Sequence, residues 1–151
     1  VQLAHPKATV IDVAGEASFQ MNIQEMSTAI QYRLPVKVFI LNNEYMGMVR
    51  QWQELLYGGR YSESYTASLP DFVKLAESYG AVGLRATKPS EVDEVIKEML
   101  GNDRFTIADI AIDKSENCFP MIPSGAPHNE MLLGPDDEAE KPTSEEGMVL
   151  V

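Results

Sequence analysis

The chain has 151 residues, 44% hydrophobic and 23% charged, which is enough for one sizeable core and too few for two ordinary domains. Its formal net charge of -11 argues against binding to nucleic acid or to an anionic membrane surface. No run approaches eighteen apolar residues, so no membrane span is predicted. The first residue is Val1 and apolar structure begins almost at once, so we expect a piece of a longer polypeptide.

The first half of the chain predicts a strand, a helix and a second strand. Residues 8–14 are rich in β-branched side chains and run into Gly15, which is typical of a buried strand that feeds a turn. Apolar residues at helical spacing occupy residues 18–32, and Pro35 stops any continuation of that helix. Residues 36–41 are again almost continuously apolar, so the three elements form a βαβ unit.

The second half repeats the alternation. Residues 68–71 have the spacing of a helix start, and the apolar pattern that follows ends at Gly80. A strand at 81–86, a helix from Ser90 to a C-cap at Gly101, and a last strand at 105–112 complete the predicted elements. We therefore predict an α/β fold with three layers, α/β/α, around a mainly parallel sheet.

The remaining sequence is an arm and a tail. Residues 118–128 are rich in Pro and Gly without periodicity, and 134–151 carry six acidic residues against one lysine. We predict one domain over residues 1–133 and an acidic, flexible tail over 134–151. The single cysteine, Cys118, permits no internal disulfide, reads as a small buried hydrophobe, and is compatible with the cytoplasm, where we place the protein.

Polar residues follow the first two predicted strands, at the strand ends where α/β sheets bind ligands. Residues 15–18 read Gly-Glu-Ala-Ser, and 42–47 read Asn-Asn-Glu-Tyr-Met-Gly. A dinucleotide site needs more glycines and an acid after the second strand, so a dinucleotide-binding oxidoreductase is disfavoured. Carboxylate and amide oxygens instead suit Mg²⁺ with a bound diphosphate. The alternative is a tight turn and an Asn-capped helix with no ligand.

Longer stretches of the sequence resemble one enzyme family. The chain has 24 residues between Ala17 and Asn42, which resembles the thiamine diphosphate (ThDP) motif of pyruvate-decarboxylase-like enzymes. Residues 21–26, 41–52 and 119–125 are similar to the catalytic subunit of acetohydroxyacid synthase, also called acetolactate synthase. The resemblance runs from residue 1 to about 133 and implies the C-terminal, ThDP-binding, Rossmann-like domain of that much longer family. It also implies that the first elements of this domain precede Val1, so that the sheet is incomplete at its N-terminal side.

The resemblance implies roles for particular residues. Glu16, the side chain of Asn43 and the carbonyl of Tyr45 would be the protein ligands of Mg²⁺. The implied cofactor-binding residues are Gly15, Glu16, Ala17, Ser18, Asn43, Gly47 and Met48. The implied pocket for the second substrate is formed by Met48, Trp52 and Ser124, where the alternative for Met48 and Trp52 is plain core packing.

The same resemblance implies what lies elsewhere. The family usually has aspartate then glycine where this chain has Glu16 and Ala17, so the carboxylate reaches one methylene farther. The glutamate that activates ThDP belongs to another domain of the opposite subunit, and FAD sits mostly on a middle domain. No catalytic residue is therefore assigned here, and we expect the segment to be inactive alone. A homodimer or higher oligomer is expected, with a regulatory subunit as a further partner.

The function implied is a transferase reaction of branched-chain amino acid biosynthesis. The enzyme would decarboxylate pyruvate and condense the hydroxyethyl unit with pyruvate or 2-oxobutyrate, so small 2-oxoacids are its substrates. Two alternatives stay open. One is a non-catalytic assembly module, and the other is another ThDP-dependent enzyme that resembles 2-oxoacid decarboxylases.

Overall fold

The computed structural model describes residues 1–135, so the predicted acidic tail lies, from residue 136 onward, outside the described residues. The elements in chain order are β1 (Ile11–Gly15), α1 (Glu16–Gln20), α2 (Glu25–Gln31), β2 (Lys37–Asn42), α3 (Gly47–Leu55), α4 (Phe72–Ser78), β3 (Val82–Ala86), α5 (Pro89–Gly101) and β4 (Thr106–Ala111), followed by a short 3-10 helix, His128–Glu130. None of the helices within residues 1–135 is long and apolar enough to cross a membrane.

The four strands form one sheet in the order β1-β2-β4-β3, and every neighbouring pair is parallel. The last strand in sequence therefore lies in the middle, between β2 and β3. The registers place Gly15 beside Leu41, and Asn42 beside Ala111, so the carboxyl ends of the strands share one edge of the sheet. The predicted parallel α/β fold is confirmed.

Two apolar clusters lie on opposite faces of the sheet, as the alternation of side chains along a strand requires. Helices α1, α2 and α4 cover one face through a cluster that contains Phe19, Met26, Val38, Phe72 and Ile107. Helix α5 covers the other face over β3 and β4, through a cluster that contains Leu84, Val95, Met99, Ala108 and Ile110. The three layers predicted from the sequence follow from these two clusters.

The predicted helix over residues 18–32 is wrong in its continuity, because the structure has two short helices, α1 and α2. Between them, in residues 21–24, the backbone turns through hydrogen bonds to the third residue back, such as Met21 N–H to the Ser18 carbonyl. These tighter turns still bury both Phe19 and Met26. The apolar period therefore predicted the buried face correctly and the helix type incorrectly.

The first strand begins at Ile11 rather than at residue 8, because the preceding segment folds on itself. The buried Gln2 side chain donates to the carbonyls of His5, Pro6 and Ala8, at 3.1 to 3.4 Å. These carbonyls are therefore satisfied by a side chain and not by a neighbouring strand. The N-terminal turn depends on hydrogen bonds of a polar side chain, so the spacing of apolar residues could not predict it.

Helix α4 ends at Gly80 as predicted, and its N-cap is the last residue of the predicted start at residues 68–71. Asp71 is its N-cap, and one carboxylate oxygen accepts from the N–H groups of Val73 and Lys74, at 3.1 and 3.3 Å. Gly80 ends the helix with a φ of +77°. Helix α5 ends one residue later than predicted, because Gly101 is its last residue and Asn102 is the C-cap.

Contacts between α-carbons divide the chain into two compact units. The first comprises residues 1–46 and 65–114 and contains the whole sheet. The second comprises residues 47–64 and 115–151, and within its described part it contains α3 and the Pro-rich arm.

The sheet leaves apolar surface exposed at β1, which is an edge strand. Ile11 and Val13 are 46% and 64% exposed, and Leu41 of the adjacent strand is also exposed. All three point to the face that α5 covers only over β3 and β4. On the opposite face, a groove of about 530 Å³ lies beside β1, lined in part by Asp12 and Met26.

Candidate functional site

The loop after β2 carries the two asparagines singled out in the sequence. The Asn42 side chain accepts a hydrogen bond from the Glu44 N–H at 3.1 Å, and that of Asn43 accepts from the Tyr45 N–H at 3.1 Å. Both are turns in which an asparagine side chain replaces a backbone acceptor. Between them, Glu44 has a φ of +58°, in the left-handed region that side chains disfavour. The loop is thus held by its own asparagines.

Glu16 is the buried acid that faces this loop. Its side chain is fully buried at the end of β1, where one oxygen, Oε1, lies 3.5 Å from the Thr66 hydroxyl. The other oxygen, Oε2, has no hydrogen-bond partner. The Thr66 N–H in turn donates to the Glu44 carbonyl at 2.8 Å, so Glu16, Thr66 and the loop are packed together.

Burial raises the pKa of Glu16 above its ordinary value, because a charged carboxylate is poorly solvated there. The backbone N–H groups of Glu16 itself, Asn43 and Tyr45 and the Thr66 hydroxyl act in the opposite direction and lower that pKa less. A buried carboxylate with an unsatisfied oxygen is stable only when a proton or a cation completes it. Its position beside amide and carbonyl oxygens suits a hard cation such as Mg²⁺.

Within residues 1–135 no group of three or more His, Cys, Asp or Glu side chains is placed to hold a metal. A cation at this site would therefore have one protein carboxylate, and its remaining protein ligands would be the Asn43 amide and a backbone carbonyl. Such a site binds a bare ion weakly and leaves positions for phosphate oxygens. The residues present fit Mg²⁺ that is bound together with a phosphorylated ligand.

One ion pair and a tyrosine hydrogen bond flank the loop on its exposed side. The carboxylate of Glu44 accepts from Lys114 at 2.5 Å and from the Tyr65 hydroxyl at 3.0 Å. The hydrogen bond from Lys114 is the main cause of the lowered pKa of Glu44. The rings of Tyr45 and Tyr65 also pack against each other, with centroids 5.0 Å apart. Sequence patterns missed Thr66, Tyr65 and Lys114, which meet the loop from distant parts of the chain.

The predicted cofactor residues next to Glu16 form a compact turn. Gly15 is the N-cap of α1, and the Ser18 hydroxyl both accepts from the Gly15 N–H at 3.1 Å and donates to its carbonyl at 2.9 Å. Ala17 lies inside α1, where φ is negative, so an alanine at this position causes no backbone strain. Of the other predicted cofactor residues, Gly47 and Met48 are the first two residues of α3, in the second compact unit.

In the second unit, α3 presents two of the predicted pocket residues on one face. Met48 and Trp52 are four residues apart and remain 52% and 44% exposed. Gln51, between them in sequence, is instead 1% exposed and faces the arm. Within the part of the chain that the structure describes, neither Met48 nor Trp52 lies in a buried core.

Gln51 holds the arm against α3. Its amide donates to the Cys118 carbonyl at 2.9 Å and accepts from the Cys118 N–H at 2.7 Å. Arg50 adds hydrogen bonds to the Ser115 carbonyl and the Asn117 side chain, both at 3.3 Å. Ser124 is exposed at the tip of the arm, in the turn closed by the Ala126 N–H and the Pro123 carbonyl.

The predicted burial of Cys118 is wrong, because its side chain is exposed. Only its backbone groups are used, by Gln51. Sequence reasoning missed Gln51 itself, whose burial and contact with Cys118 depend on the position of the arm.

Comparison with known proteins identifies the family. Residues 1–110 match the family model described as thiamine pyrophosphate enzyme, C-terminal TPP binding domain. The chain is 49% identical over 139 residues to the acetolactate synthase large subunit of Haemophilus influenzae, covering 91% of this chain and 24% of that protein. It is 50% identical over 136 residues to the acetolactate synthase isozyme 3 large subunit of Escherichia coli, covering 88% and 24%.

A solved structure agrees with these matches. The thiamine diphosphate-dependent 4-hydroxybenzoylformate decarboxylase of Rhodococcus jostii RHA1 superposes with a TM-score of 0.67 at 32% identity, over 76% of this chain and 22% of that one. The chain thus spans about a quarter of the length of the relatives it matches. By the family match over residues 1–110, this chain belongs to the thiamine pyrophosphate enzymes and carries their C-terminal TPP-binding domain.

Proposed function

We propose that this chain is the cofactor-binding part of an acetohydroxyacid synthase. The complete enzyme decarboxylates pyruvate and transfers the two-carbon unit to pyruvate or 2-oxobutyrate, in branched-chain amino acid biosynthesis in the cytoplasm. Acetolactate synthase large subunits that are about half identical over most of the chain support this reaction. The observation that carries the proposal is the fully buried Glu16, whose free oxygen lies beside the asparagine loop.

The proposal assigns Mg²⁺ to Glu16, to the side-chain oxygen of Asn43 and to the carbonyl of Tyr45. The cation would supply the positive charge that balances the buried carboxylate, and it would bind the diphosphate of ThDP. ThDP supplies the electron sink of the reaction when it is bound. This chain contributes the anchoring of the diphosphate, through residues 15–18 and the loop after β2.

The acceptor pocket is assigned to the second unit. Met48 and Trp52 form an apolar surface on one face of α3, and Ser124 lies on the arm that Gln51 attaches to the same helix. Half-exposed large apolar side chains suit a wall that contacts a small apolar substituent. In this assignment Trp52 distinguishes acceptors that differ by one methylene.

The partners of the segment are proposed from its exposed surfaces. Ile11 and Val13 expose apolar surface on an edge strand, and an edge strand can pair with further chain. We assign this side to contacts with the rest of the longer polypeptide, whose middle domain holds most of FAD, and with a second subunit, which brings the activating glutamate. The segment alone is therefore proposed to be inactive and to self-associate.

A second candidate function has an observation of its own. The superposition on a 4-hydroxybenzoylformate decarboxylase at 32% identity suits a simple 2-oxoacid decarboxylase on the same domain. Such an enzyme would release the aldehyde instead of passing the two-carbon unit to an acceptor. Product analysis of the complete protein with pyruvate distinguishes the two, because acetolactate is expected from the first and acetaldehyde from the second.

Calorimetric titration of this chain tests cofactor binding. We expect heat of binding from ThDP with Mg²⁺, little from ThDP with EDTA, and none from NAD, since the glycine motif of dinucleotide sites is missing. Binding of NAD, or ThDP binding that is indifferent to Mg²⁺, would contradict the proposal. Absence of any binding would favour the non-catalytic assembly module.

Substitution of Trp52 tests the acceptor pocket in a complete large subunit that carries this segment. Trp52→Leu is expected to reduce the preference for 2-oxobutyrate over pyruvate about tenfold, because a methylene in an apolar pocket is worth about 1 to 3 kcal/mol. Decarboxylation should change little. The exposed Tyr32, at the end of α2, offers Tyr32→Leu as a control with an unchanged product ratio. An unchanged ratio in Trp52→Leu means that the pocket lies elsewhere.

A further inference from the structure

A line of polar side chains crosses three neighbouring strands at their carboxyl ends. Asp109 of β4 is 6% exposed and uses both carboxylate oxygens. Arg85 of β3 donates to one of them through Nε at 3.1 Å, and Asn42 of β2 donates to the other through Nδ2 at 3.0 Å. The buried carboxylate thus joins a cation on one side to an amide on the other.

The side-chain amide of Asn42 connects Asp109 to the loop after β2. Its Nδ2 is bound to Asp109, and its Oδ1 accepts the Glu44 N–H at 3.1 Å. An ionised carboxylate only accepts hydrogen bonds, so Asp109 selects the orientation in which Oδ1 is left for the loop. Glu44 has the left-handed φ of +58°, a conformation that persists only where its surroundings hold it.

We propose that Asp109 and Asn42 are positioning residues for the loop 43–45. Neither is assigned to the metal. They fix the backbone at Glu44, and so they set the directions of the Asn43 side chain and the Tyr45 carbonyl on either side of it. The functional part of this inference rests on the proposed function, whereas the effect on the loop is independent of any ligand.

The structure also supplies a matched control. Arg85 binds a second carboxylate, that of Asp71, through Nη2 at 2.7 Å. Asp71 caps α4 and has no hydrogen bond to Asn42. Asp71→Ala therefore removes one of the two carboxylates that bind the Arg85 guanidinium, together with the N-cap of α4. It leaves the hydrogen bonds between Asp109, Asn42 and the loop in place.

Amide hydrogen exchange, measured by NMR on this chain without metal, tests the inference. Relative to amides in the middle of β2, exchange at Glu44 is expected to be about tenfold faster in Asp109→Ala and Asn42→Ala, because its acceptor is freed or lost. Asp71→Ala should leave this ratio within about twofold of the parent. Asp109→Asn keeps an acceptor for the Asn42 amide and should restore most of the protection.

Titration with ThDP and Mg²⁺ then links the loop to the ligand. Affinity is expected to fall about tenfold in Asp109→Ala and Asn42→Ala and to be unchanged in Asp71→Ala. If Asp109→Ala does not fold, Asn42→Ala decides alone, because it leaves the ion pair with Arg85 intact. A parent chain that binds no ThDP overturns the proposed function, and the exchange ratios still decide the positioning. The inference is overturned if the Glu44 amide exchanges equally fast in the parent, Asp109→Ala and Asn42→Ala. It is also overturned if exchange in Asp71→Ala is as fast as in Asp109→Ala.

Discussion

Two buried carboxylates lie at the same edge of the sheet, and they have opposite surroundings. Asp109, at the end of β4, has both oxygens bound by Arg85 and Asn42. Glu16, just after β1, is even more deeply buried, and one of its oxygens has no partner. A paired buried charge stabilises the arrangement that pairs it, whereas an unpaired one costs free energy until a ligand arrives. In the two proposals made above, Asp109 is the acid that organises the site and Glu16 is the acid that binds the cation.

The largest expected effect is on ligand affinity. Glu16→Gln keeps the shape of the side chain and removes its charge, so the affinity for ThDP in the presence of Mg²⁺ is expected to fall about a hundredfold or more. Isothermal titration of the parent and the variant measures this. Unaltered affinity would mean that Glu16 is not a ligand and that the contrast with Asp109 has no functional meaning.

Stability in the absence of metal should change in opposite directions at the two acids. Asp109→Leu leaves Asn42 and part of Arg85 without a partner, and it is expected to lower the free energy of unfolding by about 2 kcal/mol. Glu16→Gln removes a poorly solvated charge and is expected to raise that free energy by about 1 kcal/mol. Urea unfolding in EDTA compares them. Equal losses in both variants would remove the distinction between the two acids.

The smallest effect is a pH dependence with a defined sign. The pKa of Glu16 is raised in the folded chain, so its ionised form lowers the free energy of unfolding. This loss is fully present above the raised pKa and disappears as the pH falls toward 4.5. The advantage of Glu16→Gln over the parent should therefore shrink between neutral pH and 4.5. Asp71 behaves oppositely: the hydrogen bond from Arg85 is the main cause of its lowered pKa, and its stabilising contribution is lost only as the pH falls below 3.8.

Urea unfolding at a series of pH values, in EDTA, measures this dependence. Asp71→Ala is the control. Its loss of free energy of unfolding relative to the parent should stay constant between neutral pH and 4.5, the range in which the gain of Glu16→Gln changes. A difference between parent and Glu16→Gln that grows on acidification would contradict the sign derived from burial.

Local patterns predicted most of the fold. The strands and the end of α4 at Gly80 follow from apolar runs and from a residue with a specific backbone role, and all were found within a few positions. The start of α4 was predicted at residues 68–71, and its cap is the last of these residues, Asp71. The break between α1 and α2 was missed, because an apolar period of about three and a half residues does not distinguish one helix from two joined by tighter turns. The candidate ligands were found through the motif alone.

The supporting contacts could not be predicted in the same way. Gln51 and Cys118 are 67 residues apart, as are Asn42 and Asp109. Such pairs depend on strand order, and the order β1-β2-β4-β3 is not encoded in any local pattern. One signal was present: Asp109 interrupts an otherwise apolar strand, and a carboxylate in that position requires a partner.

The central position of β4 constrains how this sheet can be assembled. During synthesis β1 and β2 can pair first, since only a short helical crossover separates them. Strand β3, in contrast, pairs within residues 1–135 only with β4, which follows it in the chain. The pairing of β4 between β2 and β3 brings Asp109 between Arg85 and Asn42. If Asp109 positions the loop as proposed, we expect the loop to become ordered when the sheet closes.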